Sequence, residues 1–363
     1  MKPAILFVLA VLLAQSALAE EAYFYVAAAN GIYRDSIDTN TGKLDAPSLV
    51  CAANNPNFLA FSPNHEFLYA SLNNDVASFD VKKDGSLAPL SEVASGGAGA
   101  CYVSVDGTGR NVLVADYAGG CIACFRANPD GSIGPRTAFI AFTGSGPDLK
   151  RQMQPHAHSI YADSSNKFVY ACDLGSDHVW IFKFDAARGS LVPGDPPKVK
   201  APPGSGPRHL AFGLGERFVY VSNEMGHSVT VFARNIGSGG LIPLQTVSTL
   251  SPGTPTQDVT TAEIVLHPSG KWLYVSNRGC ETISLFSIAP DGSVALTESV
   301  PSPAKFPRNF ALDPSGCWLI VGGQKDNRLA VMKIDLATGR LTPTDQAATV
   351  TDPTCVLFYG KRK

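Results

Sequence analysis

Six segments of this chain can be superimposed on one another, and this internal repeat constrains the fold more than any other feature of the sequence. Each segment begins in a turn and continues into an apolar run: SPNHEFLYAS from Ser62, DGTGRNVLVA from Asp106, DSSNKFVYAC from Asp163, GLGERFVYVS from Gly213, HPSGKWLYVS from His267 and DPSGCWLIVG from Asp313. Successive segments begin 44, 57, 50, 54 and 46 residues apart. This period is typical of the blades of a β-propeller.

Each repeat reads as four short strands, here called A to D. An apolar strand A precedes the turn, strand B follows it, strand C ends at a bulky apolar residue, and a turn such as DGSL leads to strand D. Alternating apolar residues over short runs, separated by turn residues, indicate strands. We therefore predict an all-β fold built from four-stranded blades around a central channel.

The two ends of the chain predict one further blade. Residues 24–44 (FYVAAANGIYRDSIDTNTGKL) match strands B, C and D, whereas residues 352–359 (DPTCVLFY) match strand A alone. Pairing them would close the ring and remove an exposed sheet edge. The prediction is a seven-bladed propeller closed by the terminal strands, with six blades as the alternative if the composite blade does not form.

The first residues predict export from the cytoplasm. Lys2 precedes the apolar run 4–14, and the small residues 17–19 offer a cleavage site before Glu20. This order is typical of a secretory signal peptide, and the run is short for a membrane span. We therefore expect a signal peptide over 1–19, a single propeller domain over 20–363, and a periplasmic or secreted protein with no membrane association after cleavage.

The composition excludes some classes of partner. The formal net charge is only −2, so the chain lacks the basic surplus of a nucleic-acid-binding protein. The 34 glycines and 26 prolines favour turns and short strands over long helices that would bind a partner. No haem motif or cofactor ligand set is recognisable. We expect a monomer that binds a small molecule and needs no cofactor or metal.

The repeat also predicts where a site would lie. The start of strand A and the end of strand B meet at one mouth of the channel because the two strands are antiparallel neighbours. His158, Arg208 and Arg308 occupy equivalent positions at the start of strand A, as do Asn57, Cys101 and Ala262. Glu224 and Arg278 occupy equivalent positions at the end of strand B, with His156, Asp173 and His209 as near neighbours. Converging arginines suit an anionic ligand, since a guanidinium group binds carboxylate or phosphate at two points.

At these residues the chain resembles the propeller-type lactonases. This family comprises the seven-bladed 6-phosphogluconolactonases and the related carboxy-cis,cis-muconate cyclases. The resemblance covers almost the whole chain and is carried by PHAHSI (155–160), GPRHLAF (206–212), YVSNE (220–224), LHPSGKWLYVSNRG (266–279), FPRNFALDPSG (306–316) and DTNTGKL (38–44). It implies catalytic roles for a histidine, two arginines and a glutamate, which match His158, Arg208, Arg278 and Glu224.

The resemblance implies the hydrolysis of a sugar δ-lactone of the gluconolactone or 6-phosphogluconolactone class. Export favours an unphosphorylated substrate, because phosphorylated sugars belong to the cytosol. Arg308, His156, Asp173 and His209 are the expected substrate-binding residues. We expect arginines to depress the pKa of Glu224, and His158 to titrate near neutrality and move the proton. The sequence leaves open which of Glu224 and His158 is the base.

Two alternatives remain open at this stage. A muconate-type cycloisomerase would use the same residues in the ring-closing direction, and an exported propeller that binds a ligand without catalysis would also show a polar mouth. The cysteines Cys121 and Cys124 form a CIAC motif, but the repeat aligns Cys124 with apolar core positions of strand C. Cys101 stands at a site position, where a buried thiol is a more natural interpretation than a nucleophile.

Overall fold

The structure, a computed structural model, describes residues 21–360 and consists of 28 strands in seven four-stranded sheets. The strands are β1 Glu21–Ala28, β2 Gly31–Asp38, β3 Ser48–Ala52, β4 Phe58–Phe61, β5 Phe67–Ser71, β6 Asp75–Val81, β7 Leu87–Ala94, β8 Ala100–Val105, β9 Asn111–Asp116, β10 Cys121–Ala127, β11 Ile133–Ala141, β12 Ala157–Ala162, β13 Phe168–Asp173, β14 His178–Asp185, β15 Ser190–Lys200, β16 Pro207–Phe212, β17 Phe218–Asn223, β18 Ser228–Arg234, β19 Leu241–Ser248, β20 Thr260–Leu266, β21 Trp272–Arg278, β22 Thr282–Ile288, β23 Val294–Pro301, β24 Pro307–Leu312, β25 Trp318–Gly323, β26 Arg328–Ile334, β27 Leu341–Thr349 and β28 Cys355–Phe358. A short 3₁₀ helix covers Leu214–Glu216.

The strand order confirms the predicted seven-bladed propeller. Blades 1 to 6 are the consecutive antiparallel sheets β4–β7, β8–β11, β12–β15, β16–β19, β20–β23 and β24–β27. Blade 7 has the order β28-β1-β2-β3, so the last strand of the chain pairs with the first. The ring is therefore closed by hydrogen bonds between residues near the two ends of the described chain.

One boundary in blade 7 differs from the prediction. Strand D was expected to lie before residue 45, but β3 begins at Ser48. Leu44 forms only an isolated bridge with Ile37. Pro47, which lacks a backbone N–H, immediately precedes the strand. Residues 39–44 therefore belong to the connection before strand D rather than to the strand itself.

The predicted signal peptide lies outside the described residues. Within residues 21–360, no helix has the length and apolar character needed to cross a bilayer.

The apolar core lies between neighbouring blades. Each blade presents alternate side chains to the sheets on either side, and the buried clusters mix residues of two adjacent blades. One cluster joins Phe24 and Val356 of blade 7 to Trp318 and Val331 of blade 6, so the closing blade is buried like the others.

An aromatic ring at the start of strand B packs on a turn glycine of the next blade. This contact occurs at five of the seven interfaces between blades. The pairs are Phe67 with Gly131, Phe168 with Gly239, Phe218 with Gly292, Trp272 with Gly339 and Trp318 with Gly42. The Trp318 indole N–H also donates a hydrogen bond of 2.7 Å to the carbonyl of Thr39. The glycines have positive φ, which suits the turn, and their lack of a side chain leaves space for the ring.

These contacts predict that Gly42→Ala destabilises the ring closure. A Cβ atom at Gly42 would lie 2.4 Å from the Trp318 ring, and φ is +77°. We expect a loss of about 2–5 kcal/mol in the free energy of unfolding, from backbone strain and overpacking together. Urea unfolding followed by tryptophan fluorescence would measure it.

Gly253→Ala is the matched control. Gly253 has a similar φ of +83°, but no atom lies within 4 Å of the position of its Cβ. This variant should lose only the backbone contribution, about 1–2 kcal/mol. Equal losses in the two variants would contradict the proposed role of the contact between aromatic ring and glycine.

Candidate active site

A polar cavity of about 480 Å³ lies at the mouth where strands A begin and strands B end. Its wall contains residues of six blades and of the loop between β11 and β12: Asn57, Gly99, Cys101, Tyr117, Arg151, His158, Glu224, Arg278 and Arg308. The volume is in the range of small-molecule sites. The structure thus brings together His158, Glu224, Arg278 and Arg308, which the sequence predicted as site residues.

A β-bulge positions the side chains that strand A contributes to this mouth. In blades 2, 3, 4 and 6, the pairing of strands A and B skips one residue of strand A. The skipped residues are, in that order, Cys101, His158, Arg208 and Arg308. A bulge bends the strand and re-aims the extra side chain. The repeat therefore contributes to the site through the backbone as well as through residue identity.

Glu224 is the centre of the charged cluster. Its Oε2 accepts a hydrogen bond from Arg208 Nε at 3.0 Å and forms an ion pair with Arg278 Nη2 at 2.9 Å. Its Oε1 accepts a hydrogen bond from Arg151 Nη2 at 2.8 Å. The Glu224 side chain is only 6% exposed. One buried carboxylate therefore binds three guanidinium groups.

The guanidinium groups hold the pKa of Glu224 well below its usual range, as predicted. Burial alone raises this pKa, but the charges of Arg278 and Arg208, with a smaller contribution from Arg151, outweigh it. Glu224 is therefore ionised at neutral pH and is a weak base.

His158 lies beside Glu224 without a direct hydrogen bond. Its Nε2 is 3.9 Å from Glu224 Oε2, and its buried Nδ1 has no hydrogen-bond partner in residues 21–360. Burial, followed by the charge of Arg208, lowers its pKa well below the usual value. The prediction that His158 titrates near neutrality is therefore wrong, because burial beside cations disfavours the imidazolium form. At neutral pH the ring is uncharged.

Arg208 supports Glu224 from within the protein. Its side chain is 2% exposed, its Nε binds Glu224, and it does not line the cavity. A buried guanidinium group needs a charged partner, which the carboxylate provides. The structure therefore places Arg208 behind Glu224, although the sequence suggested a direct contact with substrate.

Arg278 and Arg308 face the cavity itself. The Nη2 of Arg278 binds Glu224, while its buried Nε has no hydrogen-bond partner in the described chain. Burial lowers the pKa of Arg278 to about 10, so it remains charged at neutral pH. Arg308 makes no hydrogen bond or ion pair within residues 21–360, and burial, with the charge of Arg208, lowers its pKa as well. These two residues can therefore donate hydrogen bonds to a ligand.

His156 and Asp173 form a support behind the cavity wall. The His156 ring stacks on Tyr117 with 4.4 Å between ring centroids, and its Nδ1 lies 2.9 Å from the Tyr117 carbonyl oxygen. Asp173 is fully buried, and its carboxylate accepts hydrogen bonds from the backbone of His156 and from the Trp180 indole. Neither residue lines the cavity. They fix the position of Tyr117, which lines the cavity.

His209 lies deeper in the channel, beneath Arg208. Its Nδ1 hydrogen-bonds to Glu263 at 2.9 Å, and the rings of Phe58 and Tyr102 pack edge-on against it. Burial lowers the pKa of His209 to about 4. Its side chain is 3% exposed and is absent from the cavity wall, so the structure does not bring it to the mouth with the other predicted residues.

Arg151 reaches the site although the sequence analysis did not select it. It belongs to the loop between β11 and β12, outside the aligned repeat positions. The only sequence signal for this loop is the spacing of 57 residues between the second and third segments, the longest of the series. An insertion is visible there, but the repeat does not indicate which of its side chains reaches the mouth.

The cysteines have structural positions. All eight lie within residues 21–360, and none forms a disulfide. Cys124 is fully buried in the core, as the repeat predicted. Burial raises the pKa of Cys101 to about 12, so its thiol is protonated at neutral pH. In the described part of the chain, no group of three or more His, Cys, Asp or Glu side chains has metal-binding geometry.

A larger cavity of about 680 Å³ follows the same inner strands and is mostly apolar. Its ionisable groups include Glu263 and Asp313, both of which are occupied by hydrogen bonds within the protein. It lacks arginines, so the chemistry of an anionic ligand belongs to the smaller cavity.

Comparison with known proteins agrees with the fold. Residues 22–358 match the family described as lactonase, 7-bladed beta-propeller. The chain is 32% identical over 334 residues to 6-phosphogluconolactonase of Bacillus subtilis, covering 90% of this chain and 94% of that protein. It is also similar to a crystal structure of a putative 6-phosphogluconolactonase from Bacteroides fragilis, with 31% identity, a TM-score of 0.88 and coverage of 95% and 99% of the two chains.

A second solved structure is described as a periplasmic gluconolactonase of Pseudomonas aeruginosa. It has a TM-score of 0.89 and 28% identity, with coverage of 94% of this chain and 99% of that one. The family match spans nearly all of the described residues. The chain belongs to the seven-bladed β-propeller lactonase family.

Proposed function

We propose that this protein hydrolyses a sugar δ-lactone, of the gluconolactone or 6-phosphogluconolactone class, to the open-chain acid. The observation that carries the proposal is the pair Arg278 and Arg308, whose guanidinium groups line a cavity of about 480 Å³ beside His158 and Glu224. The relatives named as 6-phosphogluconolactonases support the hydrolase class.

Export is part of the proposal. The sequence pattern of residues 1–19 supports it, as does the similarity to a periplasmic gluconolactonase. Intact-mass analysis of protein recovered outside the cytoplasm would test this part, and the expected mass is that of a chain that begins at Glu20.

The arginines supply the charge that lactone hydrolysis requires. Attack of water on the lactone carbonyl forms a C–O bond and moves an electron pair onto the carbonyl oxygen. Preorganised donors that face this oxyanion lower the barrier, often by more than any other single effect. Arg308, which has no partner among the described residues, and Arg278, whose Nε has none, are positioned to donate to it.

His158 is the base in this scheme. An uncharged imidazole can accept the proton of the attacking water, and the unfavourable environment of the imidazolium then favours its transfer to the departing ring oxygen. One water molecule can hydrogen-bond to both His158 Nε2 and Glu224 Oε2, which are 3.9 Å apart. Glu224, which stays ionised, orients that water and stabilises the transient imidazolium.

The scheme predicts that Glu224→Gln lowers turnover of glucono-δ-lactone by about 10²- to 10⁴-fold, because the amide cannot stabilise a cation on His158. Binding of gluconate should survive, since the arginines remain. Lactone hydrolysis followed in a pH-stat and gluconate binding followed by calorimetry would measure the two effects.

Glu298→Gln provides a control for this variant. Glu298 forms a partly exposed ion pair of 3.7 Å with Arg340 outside the cavity, so its substitution makes the same chemical change without touching the site. Turnover should be unchanged. A normal rate in Glu224→Gln would show that the glutamate only orders the arginines.

The pKa shifts predict an unusual pH dependence. The pKa values of His158 and Glu224 both lie well below their ordinary values, so both groups are already deprotonated at pH 6. After subtraction of spontaneous hydrolysis, kcat/KM should be flat between about pH 6 and 8 and fall only at a more acidic pH, where His158 protonates. Half-loss of activity near pH 6.5, the ordinary histidine value, would contradict the scheme.

A further inference from the structure

The side chain of Arg151 is the part of the charged cluster that is most exposed to solvent. It is 41% exposed, whereas the side chains of Arg208 and Arg278 are 2% and 6% exposed. Arg151 is also the only one of these arginines on a loop rather than on a strand or at the end of one. Its contacts can therefore change without distortion of a blade.

The backbone around Arg151 is nevertheless well anchored. The carboxylate of Asp148 accepts hydrogen bonds from the N–H groups of Lys150 and Arg151, at 2.8 and 2.9 Å. The buried side chain of Gln152 donates to the Leu174 carbonyl and to Asp177, at 2.8 and 2.7 Å. These bonds hold the loop over the mouth while the guanidinium group extends from it.

The guanidinium group of Arg151 occupies one oxygen of Glu224. Its Nη2 donates to Glu224 Oε1 at 2.8 Å and to the Tyr117 hydroxyl at 2.9 Å. Within residues 21–360, Oε1 accepts no other side-chain hydrogen bond, whereas Oε2 contacts two strand arginines, Arg208 and Arg278. Because the guanidinium group of Arg151 is the solvent-exposed partner of this ion pair, an anion from solution can reach it and compete with Glu224.

The charges around the cavity exceed what one reacting carbonyl needs. Arg151, Arg278 and Arg308 line it, Arg208 lies behind, and Glu224 is the only carboxylate in its wall. One oxyanion would match one of the three excess positive charges. The remainder favours a substrate with a second anionic group.

We propose that Arg151 recognises an anionic group of the substrate remote from the lactone carbonyl, a phosphate or a carboxylate, and exchanges Glu224 for it on binding. The inference rests on the proposed lactonase function and predicts a preference for anionic over neutral sugar lactones. The exchange frees Oε1 of Glu224 when an anionic substrate is bound. The guanidinium group of Arg151 can donate two charge-assisted hydrogen bonds to a phosphate or carboxylate, which accounts for the preference for an anionic substrate.

The test compares Arg151→Gln with Lys150→Gln on three lactones. These are 6-phosphoglucono-δ-lactone, glucaro-δ-lactone, which carries a carboxylate in place of the phosphorylated carbon, and neutral glucono-δ-lactone. Lys150 is exposed and adjacent, so its variant removes the same charge from the same loop. Arg151→Gln should raise KM for at least one anionic lactone by about tenfold or more, and raise KM for the neutral lactone much less. Lys150→Gln should change neither.

The anionic lactone affected identifies the group recognised, phosphate or carboxylate. Equal losses on charged and neutral lactones would overturn the proposal, because they would show that Arg151 only shapes the site. An unchanged KM for both anionic lactones would also overturn it.

Calorimetry with the product acids separates this inference from the proposed function. Wild-type protein should bind 6-phosphogluconate or glucarate more tightly than gluconate, and Arg151→Gln should abolish the difference. This result in a protein that opens no lactone would refute the hydrolase function while supporting the role of Arg151. Lactone hydrolysis without any such difference would refute only the role of Arg151.

Discussion

The buried ion pair between Arg208 and Glu224 is the interaction on which the site depends. A guanidinium group that is 2% exposed is stable only with a charged partner, and Glu224 provides it at 3.0 Å. The same carboxylate also binds Arg278 and Arg151, so it assembles cations that would otherwise repel one another. Its two oxygens are consequently poor bases. This arrangement assigns the proton transfer to the neutral imidazole of His158 and the fixed negative charge to Glu224.

A β-bulge that recurs in strand A of several blades builds this cluster of charged residues. Bulges near the start of strand A re-aim His158, Arg208 and Arg308 at the mouth, and the antiparallel partner strand brings Glu224 and Arg278 to the same level. The contacts between aromatic rings and turn glycines fix the blades relative to one another. Since each blade contributes only one or two side chains, the geometry of the site depends on the packing between blades rather than on any single sheet.

Much of this could be predicted from the sequence because it repeats. The spacing of the six segments predicted the blades, and alignment of equivalent positions selected His158, Glu224, Arg278 and Arg308 for the mouth. Features that do not repeat were missed: Arg151 lies in an insertion between blades 2 and 3. The placement of Arg208 behind Glu224 and the low pKa of His158 depend on burial in three dimensions, which residue identity does not indicate.

The central claim is that the arginine-lined mouth opens a sugar δ-lactone. The most direct measurement is a pH-stat comparison of the purified protein on glucono-δ-lactone, its 6-phosphate and a muconolactone, at a pH where spontaneous hydrolysis is slow. The account predicts acid release well above the spontaneous rate from at least one of the two sugar lactones and none above it from the muconolactone. Turnover of the muconolactone alone, or of none of the three, would contradict it.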